Sequence, residues 1–211
     1  MIRYTTLLKV IVLTLLILAG CRSDTPDGAL PWREGFSNQT EQWVLESDAI
    51  AEVEIKEGVL QISVGVPNQL AWATSEPTLT DFRLSVKATQ AEGPDDNEYG
   101  VLVRMKDDDH FYRFGISGDG YYKVDRYDAG EWISLTEGWT QSNAINQGQQ
   151  TNHLEVVCSG RDMTLTVNGS DLVTVTDSRY SKGHVGLYAG TFFEPGVTVH
   201  FDDLVVEPID E

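Results

Sequence analysis

Cysteine is nearly absent: the 211 residues contain only Cys21 and Cys158. One disulfide is the most they could form. Basic residues are also scarce, with 15 Lys and Arg against 33 Asp and Glu and a formal charge of −18. A surface of that sign repels nucleic acid and anionic membrane, so nucleic acid is not an expected partner. Solubility is the plain use of the charge, and calcium affinity a second one. Sustained helical periodicity is missing, as are long linkers, low-complexity tracts and repeats. The chain has no Gly-x-Ser-x-Gly elbow, no His-Glu-x-x-His helix and no Gly-rich phosphate loop. Its four histidines, His110, His153, His184 and His200, stand singly, which argues against zinc. Nothing in the sequence sets an oligomeric state.

The N-terminus carries Arg3 and Lys9, then an apolar run from Val10 to Leu18 interrupted only by Thr14. A bilayer span needs about 20 apolar residues, and this run has the length of a signal-peptide core instead. It ends in Leu18-Ala19-Gly20-Cys21, which resembles the lipobox of bacterial lipoproteins. The resemblance implies cleavage before Cys21 and a lipid on its thiol, with acyl chains such as palmitate. Residues 1–20 are then a signal peptide and 21–31, polar with two prolines, a tether. The protein is expected in the cell envelope, anchored by lipid outside the cytoplasm. Arg22 replaces the Asp that commonly retains lipoproteins at an inner membrane, which points to the outer membrane in a cell with two. Acylation of Cys21 leaves Cys158 without a partner. Cys158 closes the alternating run Leu154-Glu155-Val156-Val157-Cys158 and reads as a small buried hydrophobe.

Residues 32–211 alternate with period two and break at Gly, Asp and Asn. Val53 and Ile55 face in while Glu52 and Glu54 face out. Phe82, Leu84, Val86 and Ala88 alternate with Arg83, Ser85, Lys87 and Thr89. Further strands are predicted at 51–56, 60–64, 70–74, 99–106, 110–117, 120–127, 131–135, 152–158, 161–168, 171–176, 183–190 and 196–207. Asn168-Gly169 is the strongest hairpin signal, because a type I′ turn needs positive φ at both central residues. About thirteen strands without helices predict a single all-β domain, a two-sheet antiparallel sandwich.

Pairing apolar with apolar residues fixes a register for the central strands. Val103 is expected opposite Phe114 and Met105 opposite Tyr112, which sets Arg104 against Arg113. Phe114 with Val124 and Ile116 with Tyr122 sets Arg113 against Asp125. Val124 with Ile133 and Tyr122 with Leu135 sets Asp125 against Trp132. The expected ligand-binding row is Arg104, Arg113, Asp125 and Trp132, flanked by Phe111, Tyr127 and Lys123. A sugar suits such a row, since its C–H face stacks on indole while its hydroxyls bond the charges. An anionic sugar or carboxylate would suit two adjacent arginines still better. The same residues also fit an ordinary solvated sheet face.

Tyr99-Gly100-Val101-Leu102-Val103-Arg104, His110-Phe111-Tyr112-Arg113-Phe114 and Gly118-Asp119-Gly120-Tyr121-Tyr122 form one recurring pattern. Asn168-Gly169, Gly183-His184-Val185-Gly186-Leu187 and Val199-His200-Phe201-Asp202-Asp203-Leu204 continue it. Together they resemble the concanavalin A-like lectin/glucanase superfamily, in its laminin-G-like or family 16 glycoside-hydrolase-like branch. The resemblance spans residues 33–207 and implies a jelly roll. It leaves function open, because the fold hosts lectins, hydrolases and adhesion modules. Its best-known catalytic motif is Glu-x-Asp-x-x-Glu on one strand. Glu52-Val53-Glu54-Ile55-Lys56-Glu57 approaches that spacing but lacks the Asp and lies near the N-terminal edge, so it reads as an exposed acidic strand face. The resemblance also implies a structural calcium tying first and last strands, for which Glu34, Asp202 and Asp203 are the available carboxylates. Asp202-Asp203 interrupts the alternation and predicts a bulge. The expected function is a non-catalytic, carbohydrate-binding lipoprotein whose partner is a glycan or polysaccharide. The alternatives are a glycoside hydrolase or 3-keto-disaccharide hydrolase-like enzyme, and a structural or adhesion module that binds another envelope protein.

Overall fold

The computed structural model describes residues 30–37 and 42–209. The signal peptide, Cys21 and nearly all of the tether lie outside the described residues. Sixteen strands follow one another among the described residues, all paired antiparallel. They are β1 (Trp32–Glu34), β2 (Trp43–Leu45), β3 (Ala51–Lys56), β4 (Val59–Val64), β5 (Leu70–Ser75), β6 (Phe82–Glu92), β7 (Glu98–Asp107) and β8 (His110–Ser117). The second half supplies β9 (Tyr121–Asp128), β10 (Glu131–Ser134), β11 (Thr140–Gln141), β12 (Thr151–Ser159), β13 (Asp162–Val167), β14 (Ser170–Thr176), β15 (His184–Gly190) and β16 (Val197–Glu207).

One sheet has the order β14-β13-β12-β6-β16-β4-β3, with β1 beside β16. The other runs β10-β9-β8-β7-β15-β5-β2, with β11 beside β9. This is the expected two-sheet sandwich, and the alternating apolar residues explain it. Phe82, Leu84 and Val86 of β6 meet Val101, Phe114, Val124 and Leu187 of the opposite sheet in a single core. The short strands β1, β2 and β11 carry too few residues for period two to reveal them. Trp32 and Trp43 belong to the core, their rings 5.7 Å apart.

Two devices match their sequence signals. Asn168 and Gly169 take positive φ of 50° and 79° between β13 and β14. The β16–β6 ladder shifts register between Asp202 and Val205, with Asp203 at φ 50°. That shift is the bulge expected from the broken alternation.

Candidate functional site

The central strands β7, β8 and β15 are buried along almost their whole length, on both faces. Half of these residues point into the core, so burial of the other half needs a second cause. Tyr112, Phe114 and Ile116 point in, which turns Phe111, Arg113, Gly115 and Ser117 outward. No third sheet covers that outer face among the described residues. Its own side chains shield it instead. Leu102, Met105, Phe111 and Tyr188 form a second buried cluster, with Leu70, Trp72 and Tyr127 packed against it.

At the centre lies Arg113. Its side chain donates to Glu98 Oε1 at 2.8 Å and to Asp125 Oδ2 at 2.5 Å. Lys123 Nζ approaches Asp125 Oδ1 at 3.0 Å, and the Tyr188 hydroxyl donates to Glu98 Oε2 at 3.1 Å. Exposure is 7% for Arg113, 3% for Glu98 and none for Asp125. Above the guanidinium sits the Trp132 ring, 4.0 Å from the guanidinium carbon to the ring centroid and 43% exposed. Burial pushes the Glu98 carboxyl above its usual range, and the Arg113 charge offsets only part of that rise. Burial disfavours the Arg113 cation, but the surrounding Glu98, Tyr188 and Asp125 oxygens outweigh it and raise its pKa. The Tyr188 phenol is also raised, by burial first and by the Glu98 charge second. Two carboxylates thus face Arg113 and Lys123, and the formal charges of the cluster cancel.

A glycine makes this arrangement possible. Tyr188 lies opposite Gly100, and Gly100 opposite Gly115. The Tyr188 ring crosses this row, so its hydroxyl would stand 2.2 Å from a Cβ on residue 115. Only a residue without a side chain leaves the phenol room to reach Glu98. Beyond Arg113, three rings line one edge of the face. Phe111 and Tyr127 centroids lie 5.3 Å apart, Tyr127 and Trp132 4.6 Å, and Phe111 and Trp132 5.8 Å. Trp72 joins Phe111 from the other side at 6.1 Å.

Six of the seven residues in the expected row therefore share this face: Arg113, Asp125, Trp132, Phe111, Tyr127 and Lys123. Arg113 pairs with Asp125 as expected. Two registers differ. Trp132 pairs with Tyr127 and not with Asp125, because Ala129 and Gly130, both at positive φ, close a tight two-residue turn. The shift is two residues, so Trp132 keeps its face.

Arg104 is the correction. Leu102, not Arg104, lies opposite Arg113, and the ladder is broken between Val103 and Asp107. Arg104 sits in this bulge at φ 52° and is fully buried on the other side of the sheet. Its guanidinium donates to the Gly160 carbonyl at 2.7 Å, with longer contacts to the Tyr180 and Thr80 carbonyls and Asp81. Glu98, Tyr188 and Trp72 were not in the expected row. The signal for them was the glycines at alternate positions, Gly100, Gly115, Gly186 and Gly190, inside otherwise apolar strands.

The remaining candidates lie apart. Glu34 is opposite Leu204, and its carboxylate accepts from the Phe36 amide at 2.9 Å. Asp203 pairs with Lys87 at 2.6 Å, and Asp202 accepts from the Asp203 amide. No group of three metal-ligating side chains converges among the described residues. Glu52, Glu54 and Glu57 stand on or beside the edge strand β3 of the opposite sheet, with Glu54 bound to Lys56. Cys158 is fully buried.

Over residues 28–207 the chain matches the model of the family described as 3-keto-alpha-glucoside-1,2-lyase-like domain. It belongs to that family. In solved structures this lyase-like domain is similar to the carbohydrate-binding module CBM66 from Bacillus subtilis, with a TM-score of 0.62 and 17% identity over 79% of this chain and 95% of that one. It is also similar to a Bacillus licheniformis beta-glucanase, with a TM-score of 0.63 and 12% identity over 85% and 98% of the two chains. At such identities the likeness is one of fold, and the fold of the lyase-like domain is the concanavalin A-like jelly roll that its motifs resemble. No curated protein matches the chain in sequence.

Proposed function

We propose that this domain is a lipid-anchored glycan-binding protein of the cell envelope, with a non-catalytic site on the outer face of the β7–β8–β9 sheet. The observation that carries the reading is the Arg113 guanidinium, clasped by Glu98 and Asp125 and stacked under the half-exposed Trp132. Rigid, pre-paired polar groups beside an accessible indole suit a pyranose, which needs a flat apolar partner and fixed hydrogen-bonding groups. The ligand is a neutral sugar. An anionic one was attractive while two arginines shared the row, but Arg104 lies inside and Arg113 already has two carboxylates. The module and glucanase that share the fold carry carbohydrate in their names, which supports the ligand class.

Calorimetric titration of neutral glucose oligosaccharides tests this. Trp132→Ala is expected to weaken binding at least about tenfold, a loss of about 1.4 kcal/mol, while loss of its stack on Arg113 lowers stability by only about 0.5–1 kcal/mol. Unchanged affinity in that variant would remove Trp132 from the site. For the anchor, Cys21→Ser is expected to abolish palmitate incorporation and release the protein from membranes. Retention of both would reject lipidation at Cys21.

A second reading is supported by Glu98. This buried carboxyl, raised by burial and in contact with the Tyr188 hydroxyl, has the environment of a proton-transfer group. In a family described as lyase-like, that makes 3-keto-α-glucoside turnover the assay to run. Turnover lost in Glu98→Gln while binding persists would favour the enzyme.

A further inference from the structure

On the same outer face, a recess of about 210 Å³ opens at the far end of β8. Ser117, Asp119, Tyr121, Trp139, Phe192 and Asp96 line it. Ser117 and Arg113 both point outward from β8, four residues apart, which separates them by about 13 Å. Between them on this strand the one outward residue is Gly115, and the buried Tyr188 hydroxyl and Glu98 carboxylate lie over it, so a ligand spanning the two places passes above these groups. The distance exceeds one sugar ring. A monosaccharide at Arg113 does not reach the recess, and an oligosaccharide running along β8 does.

The lining has the chemistry of a sugar site. Trp139 and Phe192 meet edge to face, with centroids 5.8 Å apart and planes at 88°. They offer two apolar walls at a right angle, both partly buried. Phe193, next in the chain, is 86% exposed, the most exposed of the large hydrophobic residues described. Asp96 and Asp119 supply carboxylates able to accept from hydroxyls, and Lys and Arg are absent from the lining. An anionic ligand is therefore excluded and a neutral one favoured. The volume falls below the roughly 300–1,000 Å³ of pockets that enclose a whole small molecule. It fits one part of a longer ligand.

We propose that this recess is a second sugar subsite, which takes the distal residues of a neutral oligosaccharide held at Arg113. The proposal rests on reading the Arg113 cluster as a sugar site, and it adds chain length as the property selected.

The test is calorimetry on the full-length chain with two ladders from dimer to hexamer, malto-oligosaccharides and mixed-linkage β-glucan oligosaccharides. In the ladder that binds, affinity is expected to rise about tenfold between dimer and tetramer, or about 1.4 kcal/mol. Trp139→Ala is expected to remove that gain and leave the dimer affinity within about twofold of native. Phe192→Ala provides an independent route to the same loss if Trp139→Ala folds poorly. Trp132→Ala is expected to weaken every length alike. A length gain that survives both Trp139→Ala and Phe192→Ala overturns the second subsite and spares the first. Affinity independent of length does the same. Absence of binding in both ladders overturns the central site, and the subsite with it.

Discussion

Replacing Arg113 by leucine removes one cation from between two buried carboxylates and leaves Glu98 with only the Tyr188 hydroxyl. Breaking a buried ion pair from one side costs about 3–5 kcal/mol, because the remaining charge is desolvated and uncompensated. Loss of the Trp132 stack adds less, about 0.5–1 kcal/mol at a half-exposed ring. Against a total stability of about 5–15 kcal/mol, this lowers Tm by about 10 °C in a domain of this size. The loss depends on pH. Glu98 already has a folded-state pKa above its usual 4.5, through burial. A carboxyl whose pKa is raised on folding gives full stability below the unfolded value and loses it as pH rises through the folded one. Without Arg113 the folded value rises further, and each tenfold weakening of the acid corresponds to about 1.4 kcal/mol. The difference between native and Arg113→Leu is therefore expected to be smallest near pH 4.5 and to grow toward neutrality. Urea denaturation of both proteins across that range measures it, with Glu98→Gln/Arg113→Leu as the control in which the Glu98 share of the growth vanishes and only that of Asp125 remains. An equal deficit at every pH, or one below about 1 kcal/mol at pH 7, would refute the assignment of Arg113 as the counter-ion of Glu98.

Three other outcomes are expected. Gly115→Ala drives its Cβ against the Tyr188 hydroxyl and is expected to cost about 1–3 kcal/mol; adding Tyr188→Phe should recover part of it, and thermal denaturation of single and double variants decides. The Cys158 thiol, which burial pushes up to about 12, should resist iodoacetamide in the native protein and react once urea unfolds it. A chelator is expected to shift Tm by less than about 1 °C, since Lys87 holds Asp203 and the Phe36 amide engages Glu34; a drop of several degrees would support the calcium expected at Glu34, Asp202 and Asp203.

The sandwich was legible because period-two alternation records burial directly, and turn residues marked where each strand stopped. The β8–β9 register was legible for the same reason: Phe114 with Val124 and Ile116 with Tyr122 leave no competing slip of one residue. The β9–β10 register was not, because turn geometry at Ala129-Gly130 overrode the pairing of apolar residues. Face membership survived, since a slip of two preserves parity. Arg104 failed differently. Three residues of β7, Arg104 to Lys106, oppose Phe111 alone between the Val103–Tyr112 and Asp107–His110 pairs. A bulge of that kind inverts a side chain, and alternation alone contains no mark of it. Glu98 and Tyr188 were missed because nothing local links positions ninety residues apart. Only the strand order, with β15 beside β7, brings them together.

The inward turn of Arg104 gives the two ends of the sandwich unequal freedom. One guanidinium joins backbone carbonyls from the segments around Thr80, Gly160 and Tyr180, so the connections at that end are held by a common clasp. Insertion or exchange in any one of them disturbs the other two. At the opposite end, the connections carrying Asp96, Trp139 and Phe192 are outside that clasp. Relatives that diverge in ligand are expected to differ there, and loop grafts aimed at new recognition belong at that end.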